Sequence, residues 1–562
     1  MPVLLTQAVA APRVSLSGWR GVGARCLTTA APRTALERGI YAASASKIFS
    51  AAKRHKCRAP FGFLNPPRLF ALAASLAIAA NCAAEAPTIT YLFPSAVAPG
   101  KTNEVTVFGS GLSGARTLWT SFAAKVEKLQ AADDHAVFKV IVPANRATGF
   151  GAVRLVATNG ISSLQFIMLD SLPSMLAQGT NHSPTIAQLL KPPVAIEGIC
   201  HETAAEFFKI DARKGQRLSF DVAAQRLGSS MDPLMRLFDS AGRELVFCED
   251  TPGAGVDGRF TCKFPASGPY TLELRDTRYE AGARYRYRLR VGDFALDPLP
   301  LPFYTTPAFA QPASPLPQIN ETEPNDSTPQ KVTIPAAIRG RFAKAKDRDC
   351  FQFEAKKSER LVFLSQTRSL GSPCDAYLRL ETLDGKRLAE SPLTGAEESS
   401  LTNTFKEPGG YRLIVEEAAQ AGGPEFFYRL EIKPFQAGFN LSVDTDKVQG
   451  PVGGTAEIKI TPERHGYDGP IQLSVEPTDL GLALEPNEIS GKTNSTTLKL
   501  RLPATLQPAE LVHLRITGRA QIDGRDFTAI ASTRPALRKL FPHIPWPPPE
   551  LDGWIGLAAT PK

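Results

Sequence analysis

FFKIDARKGQRLSFDVAAQRLGSSMDPLMRLFDSAGREL (207–245) returns later in the chain as CFQFEAKKSERLVFLSQTRSLGSPCDAYLRLETLDGKRL (350–388). The two stretches align without a gap at an offset of 143, with about a third of positions identical. Downstream, YTLELRDTRYEAGARYRYRLRV (270–291) matches YRLIVEEAAQAGGPEFFYRLEI (411–432) at an offset of 141. A chain that contains itself twice marks its own borders, here repeats at 180–294 and 319–434. Within each repeat, RLSFDV and RLVFLS alternate apolar and polar residues, as do PLMRLFD and AYLRLET, which then turn through SAGRE and LDGKR. Short alternating strands closed by Gly and Asp turns predict a β-sandwich, and no helical periodicity of useful length competes.

The flanks read the same way. Residues 87–172 hold ITYLFPSAVAPGKTNEVTVFGSGL, AVFKVIVP and AVRLVATNG; residues 436–535 hold FNLSVDT, TAEIKITPE, PIQLSVEP and LVHLRITGRAQIDGRDFTA. Each predicts one Ig-type sandwich. The Pro-dense 295–318 predicts a linker that spaces the repeats, and 536–562 predicts an extended Pro-rich tail. The expected fold is therefore all-β, a tandem array of four β-sandwich domains.

Charge confirms that the first 84 residues stand apart. The chain has a formal net charge of +9, but residues 1–84 hold eleven of the 64 Lys and Arg and one acid, Glu37. That leaves 53 basic against 54 acidic residues over 85–562, so nucleic-acid binding has no bulk electrostatic basis. KRHKCR (53–58), Arg68 and the apolar LFALAASLAIAA (69–80) read as a signal peptide with cleavage expected after Ala84. The apolar run is too short to span a bilayer, and no later segment predicts a membrane span. The chain is expected to be exported, to periplasm, cell surface or medium.

At the entry of the second repeat, NETEPNDSTPQK (320–331) crowds acids beside a proline. On an extended strand Glu321, Glu323 and Asn325 project to one side, with Asp326 at the turn and Asp347 and Asp349 one strand away. Several hard oxygen ligands are what Ca²⁺ selects; a solvated acidic stretch is the other reading. The Glu249, Asp250 and Asp257 loop of the first repeat is a weaker candidate, and TNHS (180–183), at the equivalent entry of that repeat, offers no acids, so no calcium is expected there.

EPND (323–326), DRDCF (347–351), LGSSMD and LGSPCD (227–232 and 370–375) and the closing YRL (287–289 and 428–430) resemble bacterial pre-peptidase C-terminal domains. These are secreted β-sandwich modules, similar in fold to the collagen-binding domains of clostridial collagenases. Residues 87–172, through VFGSGL (107–112), resemble an IPT/TIG-like Ig domain. The first resemblance implies a calcium site, because Glu321, Glu323, Asn325, Asp326, Asp347 and Asp349 match the ligand positions of those collagen-binding domains. Lys344 and Lys346 depart from that pattern by bringing positive charge close.

No pattern for catalysis emerges. GSGLSG (109–114) matches a dinucleotide-binding fingerprint but is followed by more β-sequence. GSSM (228–231) is answered in the second repeat by GSPC (371–374), which suits a turn rather than a nucleophile loop. The histidines of 85–562 are scattered, with no His-Glu-x-x-His. In an oxidising compartment cysteines can pair. Cys350 and Cys374 align with Phe207 and Met231, so a Cys350–Cys374 disulfide is expected; Cys248 and Cys262 flank one loop and are expected to staple it. Trp119, Tyr279, Tyr285, Phe426 and Trp546 are the aromatics that could face a ligand.

The sequence thus predicts a non-enzymatic secreted or cell-surface binding, adhesion or scaffold protein. Its expected partner is an extracellular polymer, polysaccharide or protein. The alternative is an accessory or regulatory subunit of a secreted protease or polysaccharide hydrolase.

Overall fold

The computed structural model describes residues 85–562 apart from 202, 298, 306–314, 393–396 and 545. The leader, with its signal peptide and cleavage position, lies outside the described residues. The rest is all-β: sandwich domains in tandem, each built around its own apolar cluster.

The first domain packs two sheets. One runs Thr88–Phe93, Thr102–Ser110, His135–Ile141, Lys125–Ala131; the other runs Ala96–Val97, Gln165–Leu169, Gly149–Ala157, Ala115–Thr120. GSGLSG is the turn between Thr102–Ser110 and Ala115–Thr120, with Gly111 at φ 68°.

The repeats share one topology. In the first, Ser174–Leu176, Val194–Ile199, Arg286–Gly292, Arg217–Ala223 and Arg259–Lys263 form one sheet. Gln188–Leu190, Glu206–Ala212, Gly268–Asp276, Pro233–Phe238 and Glu244–Cys248 form the other. The second repeat reproduces both orders strand for strand, from Gln318–Asn320 to Phe427–Pro434. Core positions follow the alternation: Phe208 and Ile210 in one repeat, Phe351 and Phe353 in the other, all essentially without exposure. Gly228 and Gly371 take the left-handed conformation at equivalent turns, φ 79° and 82°. GSSM and GSPC are therefore turns, as their non-identity suggested.

Three expectations are corrected. The tail 536–562 is not extended. Its first residues complete the helix Arg534–Leu540, and Ile555–Thr560 runs parallel to Lys447–Pro451 and antiparallel to Leu511–Leu514. Ile555 and Leu557 are buried in the core of the last domain, while Leu537 and Phe541 are buried against Ala152, Leu164 and Phe166 of the first domain. That domain winds one continuous 10-stranded sheet around a single core.

The described part of the linker does not merely space the repeats. The Phe150 amide donates to the Pro302 carbonyl at 2.9 Å, and the Tyr304 amide donates to the Phe150 carbonyl at 2.7 Å. Phe303 meets Phe166 edge-on at 5.8 Å, and Phe166 stacks on Phe541 at 4.2 Å. The prolines carry no amide hydrogen that needs a partner there, and Phe303 packs into the crevice.

The disulfides do not form; all five described cysteines are free. Cys350 alternates with core-facing Phe351 and Phe353, so its side chain lies on the other face of the sheet from Cys374 in the core. Its thiol sits 3.4 Å from the Asp326 carbonyl. Cys248 and Cys262 lie on strands of opposite sheets, and Cys248 Sγ instead contacts the Arg259 carbonyl at 3.7 Å.

The domains are clasped by buried ion pairs. Arg154 of the first domain meets Asp446 of the last at 2.8 Å, both nearly unexposed. Asp170 of the first domain meets Arg288 at 2.7 Å and Arg290 at 3.1 Å in the first repeat. Sequence reading missed this junction. Its trace was RYRLRV, where arginines alternate with core residues on a strand buried on both faces.

Candidate functional site: a carboxylate cluster at the start of the second repeat

The strand Gln318–Asn320 ends just before Glu321, so Glu321, Glu323 and Asn325 converge by a turn rather than by strand alternation. The turn is held by its own side chains. The Asn325 amide donates to Glu323 Oε2 at 2.9 Å, and Asn325 Nδ2 donates to Glu321 Oε1 at 2.9 Å. The other Glu321 oxygen accepts from the Arg341 amide at 2.8 Å.

Asp349 enters from the strand Arg348–Ala355, on the face shared with Phe351 and Phe353. Ligand oxygens of Glu321, Glu323 and Asp349 all lie within 4.8 Å of one another. Above them, Tyr428 donates its hydroxyl hydrogen to Asp349 Oδ2 at 2.6 Å, with Glu321 Oε1 3.3 Å away. Tyr428 pairs with Gly340 across the sheet, where a Cβ would lie 2.3 Å from its Cζ. Only glycine lets the ring lie across the neighbouring strand and reach the acid.

The cluster is crowded with like charge. Burial pushes Asp349 up to about 10, helped by Glu321. Glu323 is also raised, by burial and then by Asp347, Glu321 and Asp326. Three buried oxygens have no hydrogen-bond partner: Oδ1 of Asn325, of Asp347 and of Asp349. Each belongs to a residue the sequence singled out. Unpaired buried acceptors among repelling carboxylates are the donor set a hard cation takes.

The expected set does not all converge. Asp326 is turned outward, 42% exposed, and its carboxylate accepts from the Arg348 amide and from Lys344 Nζ at 3.2 Å. Lys344 Nζ also lies 3.5 Å from Asp347 Oδ1. An ammonium thus stands at the rim of the cluster on an exposed, movable stem.

The first repeat keeps one part of this arrangement. Tyr287 bonds Glu206, and Gly198 opposite it clears the ring as Gly340 does. The Glu249, Asp250 and Asp257 loop makes no cluster, because Asp257 is spent on Arg226 at 2.7 Å and on the amides of residues 224–226. Among the flagged aromatics Phe426 is buried, Trp119 packs on His513 at 4.5 Å, and Tyr285 bonds Glu280. Trp546 lies under Arg534 at 4.3 Å, and Tyr279 is 43% exposed beneath Arg275.

Fold and site define a multi-module all-β protein with a carboxylate cluster at one domain's start. No family model and no curated protein matches the chain. Among solved structures, a pre-peptidase C-terminal domain of collagenase from Bacillus anthracis is 16% identical, over 20% of this chain and 100% of that one, with a TM-score of 0.17. The mixed-linkage glucan locus protein SGBP-B of Bacteroides ovatus is 12% identical over 62% and 74%, TM-score 0.15. The Escherichia coli adhesin FdeC is 8% identical over 79% and 95%, TM-score 0.12. These scores are far below that of a shared whole-chain arrangement. Among the described residues no helix is long and apolar enough to cross a membrane.

Proposed function

We propose that this chain is a non-catalytic, exported binding protein that holds an extracellular polymer on a rigid array of β-sandwiches. In this reading Ca²⁺ braces the start of the second repeat. One observation carries the reading: the carboxylates that converge are held by neighbours on most sides, yet Oδ1 of Asp349 and the adjacent amide oxygen of Asn325 are buried and open. Glu321 is bonded by Asn325 and Arg341, and Asp349 by Tyr428. Groups fixed in this way suit a resident ion better than proton transfer to a passing substrate. Glu321, Glu323, Asn325, Asp347 and Asp349 would hold the ion, which supplies charge neutralisation and ties the loop to the sheet. Asp326 would join only if Lys344 swings away.

The buried ion pairs at the domain junctions support a body that presents its surfaces in fixed relation, as a scaffold or adhesin requires. The test is retention of the protein on insoluble collagens, polysaccharides and envelope preparations, with calcium and with chelator. Retention on one polymer, weakened by chelator, is the expected result. No retention on any of them, with a hydrolase co-purifying instead, would replace this reading by an accessory subunit of a secreted enzyme.

A further inference from the structure

A cavity of about 350 Å³ opens between the first domain and the first repeat. It is lined by the Tyr91–Phe108 stack, Leu176, Ile199 and Arg286, and also by Glu206 with His201 Nε2 4.0 Å from its carboxyl. The volume is that of a small-molecule site.

Arg286 is the anomaly here. Its guanidinium lies over the Tyr91 ring at 5.3 Å and its Nε is buried with no partner. Among the described residues no carboxylate lies within ion-pair distance; burial pushes its pKa down to about 10, against the opposing pull of Tyr91 and Glu197. It remains a cation at neutral pH. The other buried arginines of the junction each have a carboxylate partner. Arg288 and Arg290 share Asp170, with Glu197 and Asp221 as second partners, and Arg226 and Arg259 meet Asp221 and Asp257. Glu197, the nearest acid, accepts from Arg288 and from Ser95 Oγ. Glu206 is raised to about 8 by burial and bonded by Tyr287, so it is largely an uncharged acid and does not answer Arg286.

The sandwich itself does not need this cation. The aligned position in the second repeat is Phe427, on the same strand and in the same register against the neighbouring one. An unpaired guanidinium at an apolar cavity is costly unless an anion completes it, and a carboxylate does so with two parallel hydrogen bonds. A purely apolar occupant would leave the charge unmatched, and a polar anion would leave the aromatic and aliphatic walls unfilled.

We infer that this cavity binds a small carboxylate with an aryl or alkyl body: the carboxylate sits on Arg286, and the body lies against Tyr91, Phe108, Leu176 and Ile199. The site is separate from the calcium cluster and does not depend on the polymer reading.

Calorimetric titration of the full chain with 3-phenylpropanoate and with 3-phenylpropanamide tests it. The acid is expected to bind at least about tenfold more tightly than the amide, the difference an added charge-assisted contact makes. Arg286→Gln should abolish that preference, and Arg286→Lys should keep part of it. Should Arg286→Gln fail to fold, the acid-to-amide ratio on the unaltered protein still decides. Equal affinity for acid and amide, no binding of either, or an unchanged preference in Arg286→Gln overturns the inference. Binding of N-acetyl-Ala-Phe through its free C-terminus, without binding of 3-phenylpropanoate, reassigns the cavity to a polypeptide terminus and overturns it too.

Discussion

Tyr428 donates to Asp349 across 2.6 Å, and Tyr287 makes the same tyrosine-to-carboxyl bond to Glu206 in the first repeat. Each tyrosine lies over a glycine on the adjacent strand, Gly340 or Gly198. The device belongs to the repeat; what surrounds it differs. In the second repeat it faces Glu321, Glu323 and Asn325, and in the first it faces an apolar cavity. Tyr428→Phe leaves Asp349 Oδ2 buried without its donor. The variant is expected to lose ~1–3 kcal/mol of stability in urea denaturation with chelator present. Calcium should restore part of the loss, since the ion then meets Asp349 directly.

The raised Asp349 pKa sets the direction of a pH dependence. The folded protein holds this proton up to about 10, whereas the unfolded chain releases it near 3.8. Folding therefore binds a proton across that interval, and stability falls as pH rises through it. Glu206, raised from 4.5 to about 8, acts in the same direction over its narrower window. In chelator, the melting temperature is expected to be lower at pH 8.5 than at pH 5.5. Asp349→Asn should shrink the difference, and calcium should flatten it by favouring the ionised carboxylates. A difference unchanged in Asp349→Asn would show that this acid is not the source.

Lys344 pairs with Asp326 and Asp347, and in the proposed calcium-bound state it would compete with the ion for them. It is well exposed, so Lys344→Ala should leave the melting temperature in chelator close to that of the unaltered protein. Calcium affinity, read by calorimetry, is expected to rise several-fold. Lower affinity in that variant would mean that the ammonium organises the cluster rather than blocks it.

Asp170 is the shared partner of Arg288 and Arg290 at the first interdomain junction. Asp170→Asn leaves both guanidiniums under-compensated in a buried place, at a cost of ~3–5 kcal/mol. Denaturant unfolding should separate into two transitions as the first domain releases from the first repeat. A single unshifted transition would show that the junction is held by other contacts.

The cysteines offer a chemical check. Denatured without reductant, the protein should be alkylated at Cys200, Cys248, Cys262, Cys350 and Cys374. In the native state the reaction should be slow, since burial pushes Cys200 up to about 12 and Cys350 up to about 11, and raises Cys374 as well. Two thiols protected even after denaturation would restore one of the expected bridges.

Repeats and alternation made the sandwiches legible because a two-residue period records which face is buried. Glu321 and Glu323 were legible for a simpler reason, since oxygen ligands on one short loop need little tertiary information; Asp349, on a separate strand, was reached through the repeat and the family resemblance. What escaped was set by contacts distant in sequence. Tyr428 meets Asp349 from 79 positions away, and nothing local in YRL signals that its hydroxyl reaches an acid. Phe207 and Met231 looked like one core pair, but alternation puts Phe207 on the outer face, and Cys350 inherits that face. The tail hid its strand because prolines in FPHIPWPPPE dominate the reading, while IGLAAT finds its partners over a hundred residues upstream at Lys447–Pro451. Arg286 was invisible as a site because its meaning lies in a count of partners that only the folded junction provides.

The central claim is most directly tested by titrating Ca²⁺ calorimetrically into chelator-stripped protein and into Glu323→Gln. The account predicts one ion bound per chain, a higher melting temperature on binding, and loss of both in the variant. No binding heat together with identical melting in calcium and in chelator would contradict it, and would return Glu321 to Asp326 to the role of a solvated loop.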